Sequence, residues 1–122
     1  MLIELLAIKR RRERGIRTSL ANLADRLQSL QQKQRQLTAR RETLLAEWRA
    51  LAQQEGCMNK TALNRLRAAL STLETEVQRL DHEHNELVTE QGQLTQLHAE
   101  QEKQLHLNLR EQEKLKLLEH EQ

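Results

Sequence analysis

The chain of 122 residues contains no Pro, Phe or Tyr and a single Trp, Trp48. Globular cores take much of their buried area from aromatic rings, so this chain has little with which to build one. Without proline, no residue forbids the interior of a helix. These absences favour long, uninterrupted helices over a compact mixed fold.

Cysteine and long apolar runs are also scarce. A lone cysteine, Cys57, excludes an internal disulfide and fits a reducing compartment. No stretch approaches the ~20 apolar residues that span a bilayer. The apolar N-terminal run precedes its positive charges, whereas a secretory signal places the charges first. We therefore expect a cytoplasmic protein without membrane insertion.

Leu, Gln, Glu, Arg and Ala dominate the composition, which is typical of a coiled coil. The net charge is +2, but the two halves differ. Residues 1–50 hold 12 Lys/Arg and 5 Asp/Glu (12 − 5 = +7), and residues 51–122 hold 8 and 13 (8 − 13 = −5). A basic half and an acidic half are expected to pair with each other, because this bias disfavours self-pairing of either half.

Apolar residues recur in the first half at alternating steps of three and four. This seam is Leu2, Leu6, Lys9, Glu13, Ile16, Leu20, Leu23, Leu27, Leu30, Gln34, Leu37, Arg41, Leu44, Trp48 and Leu51. Eleven of these fifteen positions are apolar. An average spacing of 3.5 residues keeps one stripe facing a partner helix, so the pattern predicts a coiled coil.

A second heptad run follows a break. Its seam begins with six apolar residues, Leu63, Leu66, Leu70, Leu73, Val77 and Leu80. It continues as His84, Leu87, Gln91, Leu94, His98, Gln101, Leu105, Asn108, Gln112, Leu115 and Glu119, of which four of eleven are apolar. The seam is therefore expected to be tight near the middle of the chain and loose toward the C-terminus.

The break at residues 53–61 predicts a hairpin. Gly56 is expected to end the first helix in the left-handed conformation, and Asn59 or Thr61 to cap the second. The predicted fold is all-α, a single domain (1–122) of two long helices that form an antiparallel coiled-coil hairpin. Helix 1 is expected at about 2–53, the loop at about 54–60 and helix 2 at about 61–118. The expected facing pairs are Leu51 with Leu63, Trp48 with Leu66, Leu44 with Leu70 and Leu37 with Val77, and at the open end Lys9 and Glu13 with Leu105 and Gln101.

No motif for catalysis is present. The sequence has no Gly-rich phosphate loop, paired cysteine motif or H-E-x-x-H. We therefore expect no enzymatic activity and no cofactor. His98, Glu102 and His106 lie at four-residue spacing on one helix face, which suits a metal, but solvated coiled-coil positions are the favoured interpretation. His82 and His84 are two residues apart and point to different faces.

The N-terminal end carries a dense basic run. Its residues are Lys9, Arg10, Arg11, Arg12, Arg14 and Arg17. The favoured interpretation is docking to an acidic protein patch or pore, and the alternatives are a solvated face, nucleic acid or a membrane surface. No aromatic residue is interleaved for base stacking.

Apolar residues at both termini exceed what the seam requires. On the first helix they are Leu2, Ile3, Leu5, Leu6 and Ile8, and on the second they are Leu105, Leu107, Leu109, Leu115, Leu117 and Leu118. A helix that is apolar all round is normally buried in something larger, so a partner is expected here, with self-association or extra mutual packing of the two clusters as the alternatives. Near the loop, Leu45, Trp48, Ala52 and Met58 form a smaller group, in which Trp48 is a candidate anchor for a second partner.

The opening residues 1–14, MLIELLAIKRRRER, resemble the start of the type III secretion stalk proteins, the SctO/YscO family, and their flagellar relative FliJ. The length, composition and single hairpin are similar too. The resemblance implies a shaft in the pore of a hexameric secretion ATPase that reaches the cytoplasmic ring of the export gate and handles escort chaperones.

The same resemblance suggests which residues meet each partner. The expected ATPase-binding residues are Leu2, Ile3, Leu5, Leu6, Ile8, Arg10, Arg11, Arg12, Arg14 and Arg17. The expected export-gate residues are Leu45, Trp48 and Met58. Two alternative functions stay open, a generic coiled-coil chaperone or tether and a nucleic-acid-binding coiled coil. A prefoldin-like chaperone places β-hairpins between its helices, for which nine residues leave no room.

Overall fold

The computed structural model describes residues 1–54, 56 and 59–121. Two α-helices account for nearly all of them, α1 at Leu2–Ala52 and α2 at Lys60–Glu121. The helices pack against each other as an antiparallel hairpin, which confirms the predicted fold class. Cys57 and Met58 lie outside the described residues.

The helix ends follow from local hydrogen bonds. Asn59 caps α2, because its Oδ1 accepts the backbone N–H of Ala62 at 2.8 Å. At the end of α1, the Gln54 N–H bonds the carbonyl of Leu51 at 3.1 Å, a tightened last turn. Gly56 does not have a positive φ, so the prediction of a left-handed Gly56 is wrong. The hydrogen bond of this tightened turn, and not a left-handed glycine, therefore satisfies a backbone carbonyl at the end of α1.

The chain divides into two compact units. The terminal unit consists of Met1–Ser29 and Gln91–Gln122. The loop unit consists of Leu30–Glu90 and contains the connection between the helices. Each unit is a pair of helix segments, one from α1 and one from α2.

The buried residues of both units lie on the predicted seam. In the loop unit they are Leu30, Leu44, Leu66 and Leu80, and in the terminal unit Leu6, Leu23, Leu94, Leu105, Asn108 and Gln112. The other seam positions are half-buried, except Arg41 and Glu119, which are exposed. The heptad pattern therefore identified the buried stripe of each helix.

The facing pairs in the loop unit differ from those expected. Trp48 Nε1 donates to Glu74 Oε1 at 3.2 Å, whereas Leu66 was the expected partner, eight residues earlier (74 − 66 = 8). Leu37 lines a shallow cleft with His84, whereas Val77 was expected, seven residues earlier (84 − 77 = 7). The predicted pairing is therefore wrong by about one heptad.

The terminal unit shows a shift in the same direction. Lys9 forms an ion pair with Glu111, and Gln112 contacts Glu13, whereas Leu105 and Gln101 were the expected neighbours. A slip of one heptad keeps the leucines of both helices on the seam, so periodicity alone cannot choose between the two alignments. Polar partners distinguish them, because a buried polar group without a partner is costly.

Candidate functional site

Exposed apolar side chains collect in the terminal unit. Among the described residues nine large hydrophobic side chains are exposed, and eight of them belong to this unit. They are Met1, Ile3, Leu5, Ile8, Leu97, Leu107, Leu117 and Leu118. The loop unit exposes only Val88 within the described part of the chain. This concentration makes the terminal unit the candidate docking surface.

The predicted docking residues of α1 fall into two groups. Leu6 is 6% exposed and belongs to the core of the terminal unit, and Leu2 is half-buried on the same seam. Ile3, at 69% exposed, and Leu5 and Ile8, both at 42%, are accessible to a partner. The accessible group is therefore smaller than the set expected from sequence.

Spacing arranges the accessible residues into stripes. Met1, Leu5 and Ile8 are four and three residues apart, so they share one face of α1, while Ile3 lies on another. Leu107 and Leu118 are eleven residues apart, about three turns, and share a face of α2. Each helix of the terminal unit therefore presents its own apolar stripe.

An ion pair between Lys9 and Glu111 joins the two helices near these stripes. Arg12 follows Ile8 by one turn, and Glu111 follows Leu107 by one turn. The pKa of Glu111 is lowered, first by its hydrogen bond with Lys9 and more weakly by charges that include Arg12.

Four arginines of the N-terminal basic run have side chains without an ion pair to any described residue. Within the described residues Lys9 pairs with Glu111, and Arg17 Nε lies 2.7 Å from Glu13 Oε2. The side chains of the others, Arg10, Arg11, Arg12 and Arg14, are exposed and make no ion pair or hydrogen bond with a described residue. Unpaired guanidinium groups beside apolar side chains can recognise carboxylates through paired N–H donors.

A buried polar cluster joins the two helices beneath this surface. Gln112 Nε2 donates to Glu13 Oε1 at 2.9 Å and to Asn108 Oδ1 at 2.6 Å. Gln112 is 4% and Asn108 6% exposed. The Gln112 hydrogen bond, followed by that of Arg17, lowers the pKa of Glu13. Sequence reasoning did not single out this cluster, although polar residues at seam positions on both helices were its signal.

The loop unit brings together two of the three expected export-gate residues. Leu45 and Trp48 are half-buried and line a shallow cleft of about 310 Å³ with Glu74 and Val77. The Trp48 ring therefore packs partly against α2, as a seam residue does. The third residue, Met58, lies outside the described residues.

The histidines pair with carboxylates on their own helix. His98 Nδ1 is 3.3 Å from Glu102 Oε1, and His82 Nε2 is 2.9 Å from Glu86 Oε1. In the part of the chain that the structure describes, no three His, Cys, Asp or Glu side chains are grouped to hold a metal ion. His98 and Glu102 therefore form a pair, and among the described residues no third side chain joins them to make a metal site.

Neither helix is both long and apolar enough to cross a membrane, over the residues 1–54, 56 and 59–121. Comparison with known proteins gives no match to a family model, a curated protein or a solved structure. Functional inference therefore rests on the surfaces described above.

Proposed function

We propose that this chain is a stalk protein of a type III secretion ATPase, which docks in the pore of the ATPase hexamer and stimulates its turnover or assembly. The observation that carries the proposal is the terminal unit, where exposed Ile3, Leu5 and Ile8 adjoin four exposed arginines of the basic run. The resemblance of the opening residues 1–14 to the stalk family supports the same function. The proposal places the chain in the cytoplasm and assigns it no enzymatic activity.

The chemistry of the terminal unit defines the partner. Exposed aliphatic side chains on a helix gain free energy when a partner removes them from water. Unpaired Arg10, Arg11, Arg12 and Arg14 favour carboxylates, which steer association and set its salt dependence. The partner surface is therefore expected to combine apolar pockets with acidic loops, and a pore surrounds a helix end on all sides.

The loop unit supplies the second contact in this proposal. Leu45 and Trp48 border the shallow cleft, and tryptophan is a frequent anchor at protein interfaces. We propose that this cleft, with Met58, meets the cytoplasmic ring of the export gate. Escort chaperones are a further proposed partner, for which no particular residues are assigned.

The test is stimulation of a purified secretion ATPase by variants of the chain. Arg11→Glu with Arg12→Glu should weaken stimulation and make it more sensitive to salt, because two attractive charges become repulsive. Leu5→Ala with Ile8→Ala should weaken it through lost burial. Leu6 is left unchanged because it belongs to the core.

Matched controls come from the loop unit. Arg35→Glu with Arg49→Glu reverses two exposed arginines, and Val88→Ala shortens an exposed apolar side chain. Both controls should stimulate as wild type does. If the controls or a Met58→Ala variant fail while the terminal variants stimulate normally, the assignment of the two ends is reversed.

The alternative functions predict other results. A nucleic-acid-binding coiled coil would bind duplex DNA with an affinity that falls steeply with salt and that depends on Arg11 and Arg12. A generic chaperone or tether would bind neither DNA nor a hexameric ATPase. A pull-down from the native bacterium that recovers no hexameric ATPase would overturn the stalk proposal.

A further inference from the structure

The leucine seam of the loop unit is compatible with two alignments of its helices. Arg41 contacts Asp81 and Trp48 contacts Glu74, so Leu44, between them on α1, lies near Val77. A slip of seven residues keeps every seam residue on the seam. Apolar burial in this unit therefore does not select one register.

The slipped pairing of the loop unit matches the short connection between the helices. It places Leu44 opposite Leu70 and Leu51 opposite Leu63, so leucine still meets leucine. The last residue of α1, Ala52, and the first of α2, Lys60, then lie near the same level. The connection between α1 and α2 does not oppose the slip.

The terminal unit discriminates between the two alignments. In the structure Gln112 and Asn108 are buried, and Gln112 donates to Glu13 on α1 and to Asn108 on its own helix. A slip of one heptad carries these two amides opposite Leu6 and Leu2, where the facing side chains offer no donor or acceptor. Gln112 keeps its bond to Asn108 on the same helix but loses Glu13, and the loss of this partner by a buried amide disfavours the slipped state.

We infer that the hairpin has two helix registers one heptad apart, and that the buried cluster of Glu13, Asn108 and Gln112 locks the register seen in the structure. The inference is independent of the proposed function. Seven residues at 1.5 Å each correspond to a slide of about 10 Å between the helices. Buried polar residues at single seam positions are a known means of fixing the register of coiled coils.

The lock gives a partner a way to act on the hairpin. A molecule that engages the Glu13 carboxylate removes the acceptor of Gln112 and weakens the lock. Any partner that binds the slipped state more tightly shifts the population toward it by that difference in affinity. The pairing of α1 and α2 in the loop unit then changes together with that in the terminal unit, because each helix is continuous.

Disulfide trapping tests the inference in a Cys57→Ser background. Arg41→Cys with Asp81→Cys reports the observed register, because these side chains are in contact. Arg41→Cys with Glu74→Cys reports the slipped register, because Glu74 precedes Asp81 by one heptad (81 − 74 = 7). Sliding by one heptad, about 10 Å, brings one pair together as it separates the other, so each pair reports one alignment.

The decisive variant is Asn108→Leu with Gln112→Leu. Two leucines in these positions meet Leu6 and Leu2 in the slipped register and face Glu13 and Lys9 in the observed one. The ratio of slipped to observed cross-link should rise about tenfold or more, because the amides no longer hold the lock. The control, Gln96→Leu with Gln104→Leu, adds two leucines at exposed positions and should leave the ratio at its wild-type value.

A ratio that stays at the wild-type value in a fully helical Asn108/Gln112 variant overturns the inference. Circular dichroism monitors helicity in each variant, and the single Gln112→Leu variant repeats the comparison with a smaller change. Loss of helix in both variants also counts against the proposal, since the slipped register should hold the helices together.

Discussion

The terminal unit and the loop unit differ in what they bury and in what they expose. Among the described residues, the loop unit buries leucines alone, whereas the terminal unit buries Asn108 and Gln112 beside its leucines. The terminal unit also exposes eight of the nine large apolar side chains that are accessible in the described chain. Each unit buries four leucines, and the terminal unit adds the buried polar side chains and most of the accessible apolar surface of the described chain.

This difference separates stability from specificity. Apolar burial is non-directional and roughly proportional to area, so a leucine seam stabilises a helix pair without fixing its alignment. A buried amide is satisfied in one arrangement only, so it selects an alignment at some cost in stability. The leucines of both units are expected to hold the hairpin together, while the polar groups of the terminal unit set its register and its exposed apolar side chains meet a partner.

The largest expected effect is in the core of the loop unit. Leu44 is 2% exposed, and Leu44→Asp buries a charge without a partner. We expect a loss of about 3–5 kcal/mol in the free energy of unfolding, measured by urea titration with circular dichroism. Ala46→Asp adds the same charge at an exposed position and should cost far less. Equal losses in the two variants would contradict the placement of Leu44 in the core.

Removal of Gln112 should have a smaller effect than the charge at Leu44. Gln112→Ala leaves Asn108 and Glu13 without their shared donor. We expect a loss of about 1–3 kcal/mol in the free energy of unfolding, because a buried acceptor without a partner is costly. Gln104→Ala, an exposed position on the same helix, is the control and should be nearly neutral. A neutral Gln112→Ala would show that the cluster carries no specificity.

The polar cluster also predicts a dependence of stability on pH. The pKa values of Glu13 and Glu111 are lowered from the ordinary 4.5, chiefly by hydrogen bonds from Gln112 and Lys9. A lowered pKa in the folded state contributes stability that is present above pH 4.5 and is lost as the pH falls through the lowered value. Glu13→Gln should therefore flatten the fall in unfolding free energy below pH 4.5. An unchanged pH profile in this variant would contradict the role of Glu13.

The smallest expected effect is at an exposed ion pair of the loop unit. Arg41 Nε lies 2.7 Å from Asp81 Oδ1, and both side chains are nearly half exposed. Exposed pairs contribute little, so Asp81→Asn should cost about 0.2–1 kcal/mol in unfolding free energy, and less in high salt. A loss as large as that of Gln112→Ala would remove the contrast between the two units.

The sequence was sufficient to predict the helices and their buried stripes. Heptad spacing identified seam residues such as Leu30 and Leu94, which are buried, because the spacing reflects burial directly. The residues between the two heptad runs offered Asn59 or Thr61 as the cap of α2, and Asn59 is the residue that caps it. Leu6 was grouped with the docking residues from its apolar neighbours, although its seam position already indicated burial. The docking roles of the exposed residues stay predictions.

Periodicity did not predict the register, which is the alignment of α1 along α2. A heptad slip changes no residue's place on the seam, so the leucines fit either alignment. Matching of polar seam residues across the helices, such as Glu13 with Gln112, was the signal that distinguishes the alignments. The prediction of a left-handed Gly56 was wrong because glycine permits that conformation without requiring it.

Hydrogen–deuterium exchange with and without a purified secretion ATPase hexamer tests the account most directly. In the free chain, amides of residues 2–17 and 105–121 should exchange fastest, because the polar seam there is stabilised by less apolar packing than that of the loop unit. Addition of the hexamer should slow exchange in these two segments and leave residues 37–52 unchanged. Protection confined to residues 37–52, or no protection anywhere, would contradict docking through the terminal unit.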